Sequence, residues 1–384
     1  MSNITNNQQR IALSAYFFLS GLAFASWASR IPTIKDMFNL NEAQLGTILL
    51  TMPICSLIGI PISGWLVAKY DSRQPLIVGF IAFAIILFFI GFVSNTTQLV
   101  IALSLFAFFM RILNVSGNTQ SITLQQRFEK RIIGSLHGLW SIGGVTGVGF
   151  STLMVYMNVS MKIHLMIVAA FTLITAIIAY RYTLKKDKST TGNKIILGKP
   201  DPFIVLLGLL VFFAAICEGG MFDWSGVYFK EVVGEKVFTY GYFTFMGFMA
   251  LSRFFSDKII DSIGMPRMYI YSALLVALGI FTAIQFPTFW PALLGFCLIG
   301  IGTAAVFPMT FALAGTSKKY SPGIAVSIIT TYGTLGFLLG PPFIGYLAHA
   351  IGLQNAFYTF LIAGLMLIPI SQLFFKNQQK QKNE

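Results

Sequence analysis

The sequence predicts an all-α membrane protein, with twelve transmembrane helices arranged as two six-helix bundles. The 384-residue chain is 56% hydrophobic and only 10% charged, whereas soluble proteins carry about 25% charged residues. It contains twelve mostly apolar runs, each near the ~20 residues that a helix needs to cross a bilayer. The loops between the runs are short, and the longest polar interruption falls in the middle of the chain. A soluble domain is therefore not expected.

The apolar runs define the order of the spans. They begin near residues 11, 43, 75, 99, 136, 163, 202, 239, 268, 290, 324 and 355. We expect an N-terminal bundle in residues 1–182, a cytoplasmic linker in residues 183–201 and a C-terminal bundle in residues 202–384. The linker is rich in Lys, Ser and Thr, which is typical of flexible connectors. The first run resembles a signal peptide, but Arg10 is its only preceding positive side chain. We therefore expect it to be retained as span 1.

The basic residues orient the chain in the membrane. The net charge is +13, and twelve spans place both termini on one side of the bilayer. Most Lys and Arg side chains flank that side, among them Arg253, which we place after span 8. The opposite side receives only Arg30, Lys35, Lys162, Lys230 and Lys236. The positive-inside rule then predicts cytoplasmic termini in a bacterial inner membrane. The bilayer accounts for the basicity, and no nucleic-acid partner is expected.

No metal site and no cofactor are expected from the sequence. Cys55, Cys217 and Cys297 lie in three separate runs, a spacing that indicates neither a disulfide nor metal ligation. His164 and His349 fall at the ends of predicted spans. We expect a monomer whose partners are the lipid bilayer, a small-molecule substrate and protons.

Glu218 in span 7 is the main candidate for a proton-binding group. A carboxylate inside a transmembrane segment is rare and usually faces the bundle interior or a watery cavity. Apolar surroundings disfavour the charged form of a carboxyl group, so such a residue can bind and release protons during transport. The alternative is a structural salt bridge, for which Arg111 is a possible partner.

Arg111 in span 4 is the main candidate for substrate binding. Arg111, Asn114 and Asn118 recur at i, i+3 and i+7, so they share one face of the helix. Arg111 lies ~18 Å from the start of the span at 1.5 Å per residue, and a central Arg costs at least ~2.5–3.5 kcal/mol. A partner carboxylate, an anionic ligand or a polyhydroxylated ligand could offset that cost.

Two further groups of residues complete the predicted site. Trp27 and Arg30 share a face of span 1, and Asp223 and Trp224 occupy a similar place in span 7. Trp27 and Trp224 could form aromatic walls at the outer mouth or serve as interfacial anchors, and Asp223 could cap locally, pair with Arg30 or contact substrate. In span 5, the helical positions i and i+3 are occupied by His137 and Trp140. His137 could instead be an interfacial hydrogen-bonding residue.

The loop between spans 2 and 3 resembles the loop signature of the major facilitator superfamily, approximately G-x-L-x-D-R-x-G-R-R. Within residues 64–73, Gly64, Leu66, Lys69 and Arg73 fit the signature. Ala68 replaces the usual Asp, and Asp71 replaces the usual Gly. We therefore assign a gating loop to Gly64, Lys69, Asp71 and Arg73, without the salt bridge that the family attributes to the missing Asp.

Three further segments are similar to one bacterial branch of that superfamily, which includes rhizopine-associated membrane proteins and, more distantly, fucose permeases. They are residues 26–32, 137–144 and 218–228. The resemblance implies two six-helix bundles that rock about a central site. The acidic residue that fucose-type symporters carry in span 1 has no counterpart here.

These observations predict a secondary transporter that moves a small polar organic solute, sugar-like or polyol-like, by alternating access. Symport coupled to protons through Glu218 is the expected mode. Proton-driven efflux of amphipathic compounds is the first alternative, because Arg111 and Asn114 weakly resemble a span-4 motif of drug–proton antiporters. A non-transporting membrane sensor is the second alternative. An enzyme is not expected, because no histidine is followed within five residues by Asp or Glu.

Overall fold

A computed structural model describes residues 4–129, 132–185, 201–320 and 322–383. Within these residues the regular structure is entirely α-helical. The first half contains α1 Asn6–Ala28, α2 Ile31–Met37, α3 Glu42–Lys69, α4 Arg73–Ile90, α5 Thr96–Gln125, α6 Ile133–Tyr156 and α7 Met161–Tyr180. The second half contains α8 Pro202–Glu231, α9 Tyr240–Ile263, α10 Met265–Gln285, α11 Phe289–Thr303, α12 Val306–Ala314, α13 Pro322–Ile351, α14 Leu353–Ala356 and α15 Tyr358–Asn383.

The fifteen helices correspond to twelve spans, because three spans are each divided into two helices. The divided spans are α1 with α2, α11 with α12, and α14 with α15. In the described residues, 11 helical segments are long and apolar enough to cross a membrane. The remaining span is α9, which has 24 residues and is more polar because it carries Arg253, Asp257, Lys258 and Asp261. The predicted all-helical membrane fold is confirmed.

The chain forms two compact units by its backbone contacts. Unit 1 comprises residues 1–39 and 51–194, and unit 2 comprises residues 40–50 and 195–384. The start of α3 therefore belongs to unit 2, and the rest of α3 belongs to unit 1. Most of the predicted linker, residues 186–200, lies outside the described part of the chain.

Side-chain caps fix the beginnings of several helices. Thr5 and Gln8 form a reciprocal capping box at the start of α1. The side chain of Asn95 accepts a hydrogen bond of 2.8 Å from the backbone N–H of Gln98 at the start of α5. Gly264 has a φ of 81°, a left-handed conformation that glycine adopts without strain. It ends α9 and allows α10 to begin at the next residue.

Glycines bring helices into direct backbone contact in unit 1. Helix α1 packs against α6 and α7, and the α1–α6 contact contains Gly21, Gly143 and Gly147. A Cβ atom built on Gly147 would lie 2.5 Å from the carbonyl oxygen of Leu22. Without a strong hydrophobic force between helices in lipid, such close packing is a main source of association.

Unit 2 is organised around α8, which packs against α9, α13 and α15. Helices α10 and α11 meet at a glycine pair, because a Cβ built on either Gly279 or Gly295 would lie 2.5 Å from the other's carbonyl oxygen. Aromatic rings fill the space beside α8, where the ring centroids of Tyr228 and Phe357 are 4.3 Å apart. The hydroxyl of Tyr228 donates a hydrogen bond of 2.7 Å to the carbonyl of Ala283.

The glycine contact between α1 and α6 predicts the effect of Gly147→Ala. Replacing glycine by alanine stabilises a helix by about 1 kcal/mol. Here, however, the added methyl group would overlap the Leu22 carbonyl. Overpacking of this kind costs about 1–3 kcal/mol, so we expect a lower Tm for the purified protein. The matched control is Gly138→Ala on the same helix, where a Cβ meets no atom within 4 Å. Equal Tm values for the two variants would contradict the close α1–α6 contact.

Candidate functional site

Glu218 lies in the interior of α8 and pairs with Arg253 of α9. The Arg253 Nη2 atom is 3.6 Å from the Glu218 Oε1 atom, and the two side chains are 27% and 8% exposed. The second carboxylate oxygen, Oε2, is buried and accepts no hydrogen bond from the described residues. The pair is thus long for a charge-assisted hydrogen bond, and it leaves one oxygen without a donor.

The Glu218–Arg253 pair corrects the expected position of Arg253 and identifies an ion-pair partner for Glu218. Arg253 was expected in the loop after span 8, but it lies within α9, ten residues before the last helical residue Ile263. At 1.5 Å per residue, that distance is about 15 Å. Arg111 was named as a possible ion-pair partner of Glu218, and the ion pair that the structure gives Glu218 is made within unit 2 by Arg253.

A second group of polar side chains lies beside this pair. Tyr242 of α9 is 1% exposed, and both Asp223 and Glu218 are near enough to interact with it electrostatically. Its hydroxyl group finds no hydrogen-bond partner among the described residues. Asp223 is half-buried. Unit 2 therefore places two carboxyl groups, an arginine and a tyrosine in one region of the α8–α9 contact.

Arg111 lies in the interior of α5 and is held by α3. Its Nε atom donates a hydrogen bond of 2.9 Å to the hydroxyl of Ser56. Gly59, one helical turn after Ser56, makes room for the arginine, because a Cβ built there would lie 3.1 Å from the Arg111 Cβ atom. Asn114 and Asn118 are half-buried, as is Arg111. These residues form a polar stripe on unit 1.

Arg30 lies at the junction of α1 and α2, where span 1 is interrupted. It is 4% exposed, and its Nε atom donates a hydrogen bond of 3.1 Å to Nδ1 of His164. Its Nη2 atom donates to the carbonyl of Val159 at 2.9 Å. The bonds shown for Arg30 therefore lie within unit 1, whereas pairing with Asp223 was one of three possibilities that the sequence left open for that carboxylate.

The contact with Arg30 fixes the protonation of His164. An arginine N–H can only donate, so Nδ1 of His164 is the acceptor and its proton is on Nε2. Nε2 then donates to the Ser151 hydroxyl at 3.3 Å, and that hydroxyl donates to the carbonyl of Gly147 at 2.8 Å. His164 is 0% exposed. Buried Arg30 is thus satisfied by a neutral imidazole through a continuous hydrogen-bond chain.

The tryptophans are located in the interiors of their units. Trp27 is 2% exposed and Trp224 is 0% exposed, and Trp224 Nε1 has no hydrogen-bond partner in the described residues. Both rings are therefore enclosed by protein, whereas the sequence left open whether they form aromatic walls at the outer mouth or serve as interfacial anchors. Trp140 is half-buried and packs against a small apolar cluster that includes Leu13 and Phe17.

His137 and the gating-loop residues lie near helix ends, at exposed or half-buried positions. His137 is exposed, and its ring centroid is 5.2 Å from that of Phe17. Gly64 and Lys69 are exposed near the end of α3, and Asp71 is half-buried in the turn before α4. The guanidinium of Arg73 lies 4.2 Å from the ring centroid of Tyr180, which is favourable for a cation–π contact.

No metal site is evident in the described residues, which contain no group of three or more His, Cys, Asp or Glu side chains that could hold an ion. The polar side chains of the candidate site instead offer carboxyl, guanidinium, amide and hydroxyl groups. The carboxyl groups can bind protons, and all four kinds of group can form hydrogen bonds with polar solutes.

The sequence of helices and the intramembrane charges are those of a transporter of the Major Facilitator Superfamily, and the chain belongs to that family. Its family model matches residues 13–314 and 243–384. The resemblance inferred from the loop signature and from the three matching segments is confirmed.

Two relatives and one solved structure are similar over nearly the whole chain. An uncharacterized MFS-type transporter of Yersinia pestis is 29% identical over 351 residues, which cover 91% of each protein. Membrane protein MosC of Rhizobium meliloti is 28% identical over 390 residues, 99% of this chain and 94% of MosC. A bacterial homologue of the human lysosomal transporter Spinster has a TM-score of 0.77 at 17% identity, over 98% of this chain and 99% of that one. This structural similarity shows the shared fold.

Sequence reasoning missed three residues of the site, namely Arg253, His164 and Ser56. Arg253 could have been found from its four-residue separation from Met249 and its distance from Gly264, which place it on the helix instead of after it. His164 lies at the start of its helix, and only its contact with Arg30, 134 residues earlier, reveals its role. Ser56 lies in an apolar run, and nothing in the sequence around it marks it as the partner of Arg111.

The buried contact between Arg30 and His164 predicts a stability difference. In His164→Leu the Arg30 Nε group loses its acceptor, and a hydrogen bond to a charged group contributes about 1.5–3 kcal/mol. We expect a lower Tm for His164→Leu than for Ser151→Ala, which removes a neutral hydrogen bond worth about 1 kcal/mol. Thermal unfolding of the three purified proteins measures both effects. A larger decrease in Tm for Ser151→Ala than for His164→Leu would contradict the assigned hydrogen-bond chain, in which Arg30 donates to His164 and His164 donates to Ser151.

Proposed function

We propose that this transporter moves a small polar organic solute, sugar-like or polyol-like, by alternating access, and that Glu218 couples the movement to protons. We place the protein in the bacterial inner membrane as a monomer with both termini in the cytoplasm. The positive-inside distribution of Lys and Arg supports that orientation. The observation that carries the proposal is the partly satisfied Glu218–Arg253 pair in the interior of unit 2.

The geometry of Glu218 suits a reversible proton site. One carboxylate oxygen is 3.6 Å from Arg253, and the other has no donor among the described residues. A proton can therefore bind Oε2 without displacing an existing hydrogen bond from that atom. Protonation removes the negative charge that attracts Arg253, so the attraction between the two side chains weakens. Proton binding is thus linked to a rearrangement between α8 and α9.

The solute class is supported by the side chains on α5. Asn114 and Asn118 lie one helical turn apart on the Arg111 face, and both are half-buried. Each amide offers two N–H donors and one carbonyl acceptor, a combination that matches hydroxyl groups, which both donate and accept. A sugar or polyol presents several hydroxyl groups of this kind.

A ligand screen of the purified protein tests the proposed function first. We expect polyhydroxylated solutes to raise the Tm more than amphipathic drugs do, and the shift to change between two pH values. Stabilisation follows RT ln(1 + [L]/Kd), so a ligand at 100 times its Kd contributes about 2.7 kcal/mol. Thermal-shift measurements with sugars, polyols, organic acids and amphipaths check this order. Stabilisation by amphipaths alone would favour efflux and contradict the proposal.

Glu218→Gln is expected to abolish proton coupling while preserving the fold. Glutamine keeps the size of the side chain but cannot exchange a proton at this position. With a solute identified by the screen, solute-driven proton flux in reconstituted vesicles should fall to the background of empty vesicles. The control is Glu231→Gln at the end of the same helix, which removes the same charge at an exposed position. Unchanged proton flux in Glu218→Gln would exclude Glu218 as the coupling residue.

A further inference from the structure

Arg111 is the one charge that unit 1 places at the centre of a long transmembrane helix among its described residues. The carboxylates in the described part of unit 1 are Asp36 in α2, Asp71 in the turn before α4 and Glu129 after α5. Arg111 is 14 residues from Gln125, the last residue of α5, or about 21 Å at 1.5 Å per residue. The sequence of unit 1 therefore provides a central positive charge without a carboxylate at the same depth.

A comparison of Arg111 with Arg30 shows that this arrangement differs from that of a structural arginine. Arg30 is 4% exposed, and both its Nε and Nη2 groups donate to acceptors in the protein. Arg111 is half-buried, and the partner that the structure gives it is the neutral hydroxyl of Ser56, on Nε. Among the described residues, the structure shows no hydrogen bond or ion pair of its two Nη groups.

The protein holds the Arg111 side chain in a defined position. Ser56 accepts the Nε hydrogen bond at 2.9 Å. On the same helix, a Cβ built on Gly59 would lie 3.1 Å and 3.2 Å from the Arg111 Cβ and Cγ atoms. The absence of a side chain at Gly59 thus allows α3 to contact the arginine stem, and Ser56 orients the plane of its guanidinium. A guanidinium oriented in this way can bind a carboxylate with two parallel hydrogen bonds.

We propose that the substrate carries a carboxylate, and that Arg111 binds this carboxylate while Asn114 and Asn118 bind its hydroxyl groups. The substrate class is then a polyhydroxylated monocarboxylate, that is, a sugar acid. This inference rests on the proposed transport of a sugar-like or polyol-like solute and specifies its chemical class. Binding also neutralises the central charge of unit 1, so the loaded protein avoids the cost of an uncompensated arginine at bilayer depth.

The test uses D-gluconate and sorbitol, which differ in having a carboxylate or a hydroxymethyl group at one end. Both are titrated into the purified full-length protein, and Kd is measured from the shift in Tm and by calorimetry. We expect gluconate to bind the wild type and to lose at least about tenfold in affinity, or 1.4 kcal/mol, in Arg111→Gln. Sorbitol should bind weakly and with the same Kd in both proteins.

Two further variants separate binding from a general loss of charge or stability. Arg127→Gln removes the same charge at an exposed position in the turn after α5, and it should bind gluconate like the wild type. Ser56→Ala leaves the charge in place but removes the hydrogen bond that orients the guanidinium plane. The affinity for gluconate should therefore fall by less than in Arg111→Gln. Arg111→Lys should recover only part of the affinity, because an ammonium group cannot form the paired hydrogen bonds.

The outcomes distinguish this inference from the proposed function. Equal gluconate affinity in Arg111→Gln and in the wild type would overturn the inference and leave the transport proposal in place. Binding of sorbitol without binding of gluconate would do the same. Failure of both compounds to bind the wild type would overturn the sugar-acid assignment, and the proposed function would then be judged by the wider screen of solutes.

Discussion

Polar groups in an apolar environment must find partners within the protein, and this constraint governs the whole chain. For the backbone it requires continuous helices, since hydrocarbon offers no hydrogen bonds to free N–H and C=O groups. Helices satisfied in this way attract one another mainly by packing, so their contacts depend on close approach. The glycines at the α1–α6 and α10–α11 contacts provide that approach. The same constraint acts more strongly on charged side chains.

The protein meets this constraint in three different ways for its intramembrane charges. Arg30 is fully buried and paired with neutral acceptors, His164 and the Val159 carbonyl. Glu218 has a long ion pair with Arg253 and, among the described residues, a second oxygen without a donor. Arg111 is half-buried, and the partner that the described part of the chain gives it is the neutral hydroxyl of Ser56. The first arrangement suits a fixed structural contact, whereas the other two leave capacity for a proton or a ligand.

The fold was predictable from the sequence because lipid imposes a length and a composition on every span. The helical breaks at Arg30 and at Ala304–Ala305 were not, since they depend on how backbone groups freed by the break are satisfied locally. Of the site, Glu218 and Arg111 could be identified because charge is rare at this depth. The helical position of Arg253 could also be inferred, but its pairing with Glu218 and the pairing of Arg111 with Ser56 could not, because a contact between helices depends on relative rotation that composition does not specify. For the same reason the burial of Trp27 and Trp224 was not foreseen.

The bond between Arg30 and His164 has a consequence for how the two positions can change over time. Loss of the histidine first leaves a buried cation without its acceptor, a step that selection would oppose. Loss of the arginine first leaves only a neutral ring that still bonds to Ser151, a step with a smaller penalty. Evolutionary replacement of the pair is therefore expected to proceed in one order, with the arginine lost before the histidine.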